Sequence, residues 1–192
     1  MSVRKALGQF VSQYQVAYPR LTEVFDPEWR SPCEVDEPFA DSRGVQRVAW
    51  EPLARHGAED FVGLEHALEL TIHQDIKDYY GSFWSGGLEA DAKRGPVSLI
   101  LLWNGADAER LVENLIGHAL AKRRLRAPFT VFFACTSVDS ELFLSVDNDS
   151  GEVLLEKPGY KPIEVVAPSL TEFLGELAPA PPERNPERAM LA

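Results

Sequence analysis

The chain has 192 residues and a formal net charge of −11 at pH 7, enough sequence for one domain with a substantial hydrophobic core. No apolar run approaches the roughly 20 residues that span a bilayer. The N-terminus has no apolar signal segment, so we expect a cytoplasmic protein. Two cysteines are too few for a disulfide framework, and Cys135, which lies in an apolar stretch, is expected to be a buried thiol.

The net charge is concentrated in one third of the sequence. Residues 23–91 contain 16 acidic and 5 basic residues, whereas the rest of the chain contains 14 of each. This sign excludes nucleic acid as a partner of that segment and disfavours direct docking on anionic lipid. It is compatible with a basic protein partner, and also with a surface that only keeps the protein soluble.

The first half of the chain is predicted to contain two helices and one strand. Apolar residues at helical spacing predict a helix over Val3–Tyr18, which Pro19 ends. A proline-rich and acidic loop over residues 23–41 precedes a strand at Val45–Trp50. A long helix is then predicted from about Glu59 to Tyr80.

The second half is predicted to contain a central amphipathic helix and several apolar strands. The central helix begins at Asp107 and ends near Leu125, and a capping box at Ser169 opens a short last helix through Leu177. The predicted strands are Val97–Trp103, Phe129–Cys135, Glu141–Asp147 and Glu152–Glu156.

These patterns together predict one α+β domain over residues 1–178. Its core is a mostly antiparallel sheet with helices packed against it, because that arrangement buries the apolar face of every predicted element. Residues 179–192 are proline-rich and polar and are predicted to form a disordered tail.

No motif predicts catalysis or a cofactor. His66, Glu69 and His73 have a spacing that could share a metal on one helical face, but no second motif supplies further ligands. The run Asp147–Gly151 has its glycine one position too early for an EF-hand and is predicted to be a hairpin turn. His118 is a weak candidate for a catalytic residue, and the basic residues at the same helix end are explained by the helix dipole, with contact to an acidic surface as the alternative. We therefore expect no enzyme activity, cofactor or metal.

Several short strings of the sequence resemble the bacterial SecY-interacting protein Syd family. The strongest is Glu113-Asn-Leu-Ile-Gly-His118, which Lys122-Arg-Arg-Leu125 follows. Weaker matches are Ser31-Pro-Cys33 and Glu172-Phe-Leu174, and the resemblance covers residues 10–178. It implies an α/β domain related to the SUKH group of protein-binding and immunity-like domains.

The resemblance also implies a function. Members of this family bind SecY through an electronegative groove that meets basic cytosolic loops. They sit loosely on the cytoplasmic face of the inner membrane, and they regulate or check translocase assembly by acting on imperfect or uncomplexed SecY. We expect such a protein to be a monomer whose association with the membrane is indirect.

Charge density and helix-face geometry select the residues of such a groove in this sequence. Tyr80 and Trp84, from an aromatic and glycine-rich loop, are candidate apolar anchors. An immunity protein that neutralises a basic toxin or nuclease is the alternative function, since it would show the same charge asymmetry. The candidate groove carboxylates are Asp36, Glu37, Glu65, Glu69, Asp75 and Asp78.

Overall fold

The described residues form five helices where apolar residues recur at helical spacing, and a polar side chain caps the first turn of all of them except the second. The structure, a computed structural model, describes residues 1–57, 59–137 and 140–182. Asn104 caps the longest helix by accepting a hydrogen bond from the amide of Asp107 at 2.9 Å, and Ser169 caps the last one in the same way. The helices are α1 (Val3–Ala17), α2 (Val62–Leu68), α3 (Gln74–Tyr80), α4 (Gly105–Leu125) and α5 (Leu170–Gly175). None of the described helices is both long and apolar enough to cross a membrane.

The predicted long helix over residues 59–80 is wrong, because the chain leaves the helical conformation in the middle. Glu69 ends α2 with φ of 56°, in the left-handed region. His73 then starts α3, and its Nδ1 accepts a hydrogen bond from the amide of Asp75 at 3.2 Å. Apolar residues on both sides of the break, such as Leu68 and Ile72, are buried in the same core. The helical periodicity therefore continues through a segment that is not helical.

A seven-stranded antiparallel sheet forms the centre of the fold, in the order β11-β10-β9-β8-β7-β6-β12. A three-stranded sheet β1-β3-β2 and a two-stranded sheet β4-β5 lie beside it. The strands of the large sheet are β6 (Leu88–Ala92), β7 (Gly95–Leu99), β8 (Thr130–Cys135), β9 (Phe143–Asp147), β10 (Val153–Glu156), β11 (Glu164–Ala167) and β12 (Ala178–Pro179). Those of the small sheets are β1 (Leu21–Val24), β2 (Phe39–Ala40), β3 (Gln46–Trp50), β4 (Leu53–Ala54) and β5 (Phe83–Trp84).

Helices cover both faces of the large sheet, as two adjacent phenylalanines of β8 demonstrate. The ring of Phe132 contacts His118 of α4 at a centroid distance of 5.9 Å. The ring of Phe133 contacts Tyr79 of α3 and Phe173 of α5, both at 5.6 Å. Side chains alternate across a strand, so α4 lies on one face and α3 with α5 on the other. The predicted fold class, a single α+β domain with helices packed against an antiparallel sheet, is confirmed.

Three further predictions are corrected by the structure. The predicted loop over residues 23–41 contains β2 and the second half of β1. The strand predicted to reach Trp103 ends at Leu99, and Trp103 packs edge-on against Trp50 in front of α4. Cys135 is exposed rather than buried, because it is the last residue of β8 and lies beyond a bulge between Phe132 and Ala134.

The start of the predicted C-terminal tail belongs to the sheet. Pro179 pairs with Ala90 in β12, and the amide of Ala180 donates to the carbonyl of Glu89 at 3.0 Å. Ala180 itself is buried. The predicted disorder of the following segment concerns residues 183–192, which lie outside the described residues.

Candidate partner-binding surface

The six predicted carboxylates lie in two places on the fold. Four of them surround the break between α2 and α3, and we call them the helix-corner patch: Glu65, Glu69, Asp75 and Asp78. The other two, Asp36 and Glu37, lie between the bridge at Glu34 and strand β2, and we call them the loop patch. Within the described residues, no hydrogen bond or ion pair connects the two patches, so a single groove that unites them remains a prediction.

Glu65 holds the helix corner together. Its Oε1 accepts a hydrogen bond from the amide of Ile72 at 2.8 Å and lies 2.6 Å from Nζ of Lys77. The hydrogen bond from Lys77, followed by that from the Ile72 amide, lowers the pKa of the Glu65 carboxyl below its usual value. This carboxylate therefore bridges the end of α2 to α3, and it offers a partner much less than its charge suggests.

The remaining three carboxylates of the helix-corner patch form no ion pair among the described residues. Glu69 is exposed at the end of α2. Asp75 and Asp78 are half-buried on α3, where Asp78 accepts a hydrogen bond from the side chain of Gln74 at 3.0 Å. These three carboxylates are the better candidates for contact with a cationic partner.

The β9–β10 turn fixes the linker between α2 and α3. Asn148 accepts from the amide of His73 at 3.0 Å and donates to the carbonyl of Thr71 at 2.9 Å. Gly151, with φ of 77°, lies against the ring of His73, and a Cβ there would come within 3.0 Å of two ring atoms. The run Asp147–Gly151, predicted to be a turn, is thus confirmed as one and also holds the helix corner in place.

The loop patch is exposed. The amide of Val35 donates to the carbonyl of Ala49 at 3.1 Å, which attaches the loop to β3. Asp36 and Glu37 follow directly and are exposed. Both carboxylates are therefore free to meet a partner in solution.

The two predicted aromatic anchors differ in accessibility. Tyr80 has 1% of its surface exposed, and its hydroxyl donates to the carbonyl of Phe132 at 2.6 Å. It is a core residue and cannot act as a surface anchor. Trp84 is half-buried, and the guanidinium of Arg55 lies over its ring at 3.8 Å from the centroid. Only Trp84 keeps a surface that a partner could touch.

Most of the few basic side chains in residues 23–91, the acidic third of the chain, form ion pairs within that segment. Four of its five basic side chains pair with carboxylates of the same segment: Arg30 with Glu34, Arg47 with Asp41, Arg55 with Glu59, and Lys77 with Glu65. Among the described residues, the other five predicted carboxylates form no ion pair: Asp36, Glu37, Glu69, Asp75 and Asp78. No ion pair in the described part of the chain therefore neutralises their charge, although the guanidinium of Arg123 donates to the carbonyl of Leu68, next to Glu69, at 2.9 Å.

The predicted metal spacing depends on a continuous helix that the chain does not form. His66 lies in α2, whereas His73 caps α3 after the break. In residues 1–57, 59–137 and 140–182, no group of three or more metal-ligating side chains could hold an ion.

A buried polar cluster under α4 was not predicted from the sequence. Lys122 is 3% exposed and forms an ion pair with Glu156, which is fully buried. Glu156 also accepts hydrogen bonds from Thr130 at 2.6 Å and Ser145 at 2.5 Å, and Thr130 contacts Nε2 of His118 at 2.9 Å. The sequence signal for this cluster was Glu156, a charged residue in an otherwise apolar strand. This signal becomes interpretable only once the register of β8–β10 is known.

The cluster makes the stability of the fold depend on pH through His118. Burial, followed by the positive charge of Lys122, lowers the pKa of His118 below 6.5, although Glu156 opposes this. The folded protein then holds fewer protons than the unfolded chain around pH 6, so stability is full above pH 6.5 and decreases as the pH falls. We expect chemical denaturation at pH 7.5 and 5.5 to show a smaller loss for His118→Phe than for the wild type. Equal losses in both proteins would contradict this assignment.

The fold and the unpaired carboxylates define a small α+β protein with an acidic surface. Comparison with known proteins identifies the family: the family model described as "Syd protein (SUKH-2)" matches residues 4–179. The chain is 37% identical over 182 residues to Protein Syd of Pseudoalteromonas atlantica, with 93% of this chain and 96% of that protein covered. It is 36% identical to Protein Syd of Colwellia psychrerythraea, with 92% and 94% covered, and 37% identical to Protein Syd of Shewanella baltica, with 100% and 90% covered. The chain belongs to the Syd family, as its sequence resemblance predicted.

Proposed function

We propose that this protein is a non-catalytic regulator that binds the cytosolic loops of SecY through its acidic surface. In this proposal it associates with the cytoplasmic face of the inner membrane only through SecY, as a monomer. It checks the assembly of the translocase by acting negatively on imperfect or uncomplexed SecY. Membership of the Syd family supports the proposal, and the charge distribution supports the mode of binding.

The observation that carries the mode of binding is the set of acidic side chains in residues 23–91 that form no ion pair among the described residues. The helix-corner patch and the loop patch contribute five such carboxylates, and Trp84 adds a partly accessible ring within the same third of the sequence. Cytosolic loops of membrane proteins carry an excess of Lys and Arg. The two surfaces therefore attract each other over a long range, and the attraction weakens as salt screens it.

Capture of SecY from detergent-solubilised membranes across a salt series tests this proposal. With the tagged protein as bait, we expect SecY to be retained at low salt and progressively lost as the salt concentration rises. Failure to retain SecY at any salt concentration would contradict the proposal and would favour neutralisation of a basic toxin as the function.

A second comparison tests the proposed quality check. SecY alone and SecY in its assembled complex are offered to the bait at one low salt concentration. We expect stronger retention of SecY alone, because the proposed role requires the protein to distinguish uncomplexed SecY from the assembled complex. Equal retention of both forms would contradict a role in recognising uncomplexed SecY.

A further inference from the structure

A cavity of about 380 Å³ lies between α4 and the sheet, away from both acidic patches. Its volume falls at the lower end of the range of ligand pockets. The walls are mainly apolar and include two phenylalanines and a tyrosine: Ile100, Ala121, Leu125, Phe132, Phe143 and Tyr160. The floor includes His118, Lys122 and Glu156 of the buried polar cluster. A mainly apolar cavity with a few convergent polar groups is the usual form of a small-molecule binding site.

The hydrogen bonds of the polar cluster determine which nitrogen of His118 can serve a ligand. Glu156 is an acceptor, so the hydroxyl of Thr130 donates its proton to it. Thr130 must then accept from His118, which places the imidazole proton on Nε2. Nδ1 is consequently an acceptor, and within the described residues it has no hydrogen-bond partner. Because His118 lines the cavity, this acceptor is available to a molecule inside it.

The charges around the cavity cancel. Lys122 is paired with Glu156, and Lys157 at the rim is paired with Glu141 at 2.7 Å. Burial and Lys122 together lower the pKa of His118, which favours its neutral form. A charged ligand would therefore lose its hydration without gaining an unpaired countercharge in return. A neutral ligand has no such cost, so the cavity favours it.

We propose that this cavity binds a small, uncharged, mainly aromatic molecule that donates one N–H or O–H hydrogen bond to Nδ1 of His118. The rings of Phe132 and Phe143 supply aromatic walls, and the more exposed ring of Tyr160 also lines the cavity. Indole and phenol have the required chemistry, a flat apolar ring with one donor. This site is independent of the proposed binding of SecY.

Titration of the full chain with indole, followed by NMR of backbone amides, tests the site. We expect saturable shifts in residues that line the cavity. 1-Methylindole has nearly the same shape and no donor, and we expect it to bind about five- to tenfold more weakly, the value of one hydrogen bond. In His118→Phe the acceptor is absent, and the two compounds should bind alike. Equal binding of both compounds by the wild type would overturn the role of Nδ1.

A blocking variant shows whether indole occupies this cavity. Ala121 is an exposed residue of α4 that lines the cavity, so Ala121→Trp can fill the entrance without disturbing the core. We expect it to weaken indole binding at least tenfold. Ala106→Trp, at another exposed position of the same helix, is the matched control and should bind indole as the wild type does. Unchanged binding by Ala121→Trp, or no binding of indole by the wild type, would overturn the proposal.

The thiol of Cys135 gives a second, independent readout. Cys135 is exposed and lines the cavity, whereas Cys33 is buried and burial raises its pKa to about 11. Iodoacetamide should therefore react first with Cys135, since the thiolate is the reactive form. We expect saturating indole to slow this alkylation severalfold in the wild type but not in Ala121→Trp. An unchanged rate in the wild type would contradict occupation of the cavity.

Discussion

Replacing Lys122 with methionine is expected to lower the free energy of unfolding by about 3–5 kcal/mol. The substitution removes the cation that faces Glu156, a carboxylate with no exposed surface. Thr130 and Ser145 still donate to that carboxylate, but two neutral hydroxyls do not replace a full positive charge in a buried site. Urea denaturation at pH 7.5, followed by circular dichroism, measures the loss.

Two further variants separate the charge from the packing of the Lys122 side chain. In Lys122→Met/Glu156→Gln the buried charge is gone, and the amide oxygen of glutamine still accepts from Thr130 and Ser145, so we expect more than half of the lost stability to return. Lys93→Met breaks an exposed ion pair with Glu176 and should leave the stability nearly unchanged. A small loss in Lys122→Met, similar to that in Lys93→Met, would contradict the importance of the buried pair.

The fold could be predicted because its main elements are long or strongly patterned. α1 and α4 each carry an apolar stripe over four or more turns, and β8 is a continuous aromatic and β-branched run. Tertiary packing supports what local preference already favours in these elements. Their order along the chain then leaves an antiparallel sheet with helices on its faces as the simplest arrangement.

The break between α2 and α3 could not be predicted from periodicity. Leu68 and Ile72 are four residues apart, as in a continuous helix, and both are buried. The break depends on long-range hydrogen bonds to the linker, especially the two that it forms with Asn148. This residue lies 75 positions after His73 and 77 positions after Thr71. His73 as a cap residue is the only local signal, and histidine is not among the preferred caps.

The sequence indicated which charged side chains face water but not which ones pair inside the protein. Glu69, Asp36 and Glu37 are exposed as expected, but Glu65 is engaged with Lys77 and the backbone. Lys122 is one of four basic residues at the end of α4, where the helix dipole would account for a surface cation, but it is buried and pairs with a residue of β10. The local sequence does not indicate that a helix residue pairs with a strand residue, because strand register decides which strand side chain faces the helix.

Reversing two carboxylates of the helix-corner patch is expected to reduce the retention of SecY at low salt about tenfold or more. The variant Glu69→Lys/Asp78→Lys changes the local charge by four units, and both side chains are outside the Glu65–Lys77 bridge. Glu65 is left intact because its loss would disturb the corner. Near the end of α3 a lysine also suits the helix dipole, so the variant should remain folded. Retention on beads at several salt concentrations measures the effect.

A control of equal charge makes this prediction specific to the patch. Glu109→Lys/Glu113→Lys changes the same number of charges on the exposed surface of α4, and it should retain SecY nearly as well as the wild type. The variant Asp36→Lys/Glu37→Lys tests whether the loop patch belongs to the same binding surface. Weaker retention of SecY would show that the loop patch takes part, and wild-type retention would exclude it. Equal losses of SecY in Glu69→Lys/Asp78→Lys and in the α4 control would mean that net charge rather than this corner governs the attraction. If instead the folded patch variant retains SecY as well as the wild type does, the helix-corner patch is not the contact surface. The binding surface would then have to lie elsewhere on the acidic third of the chain.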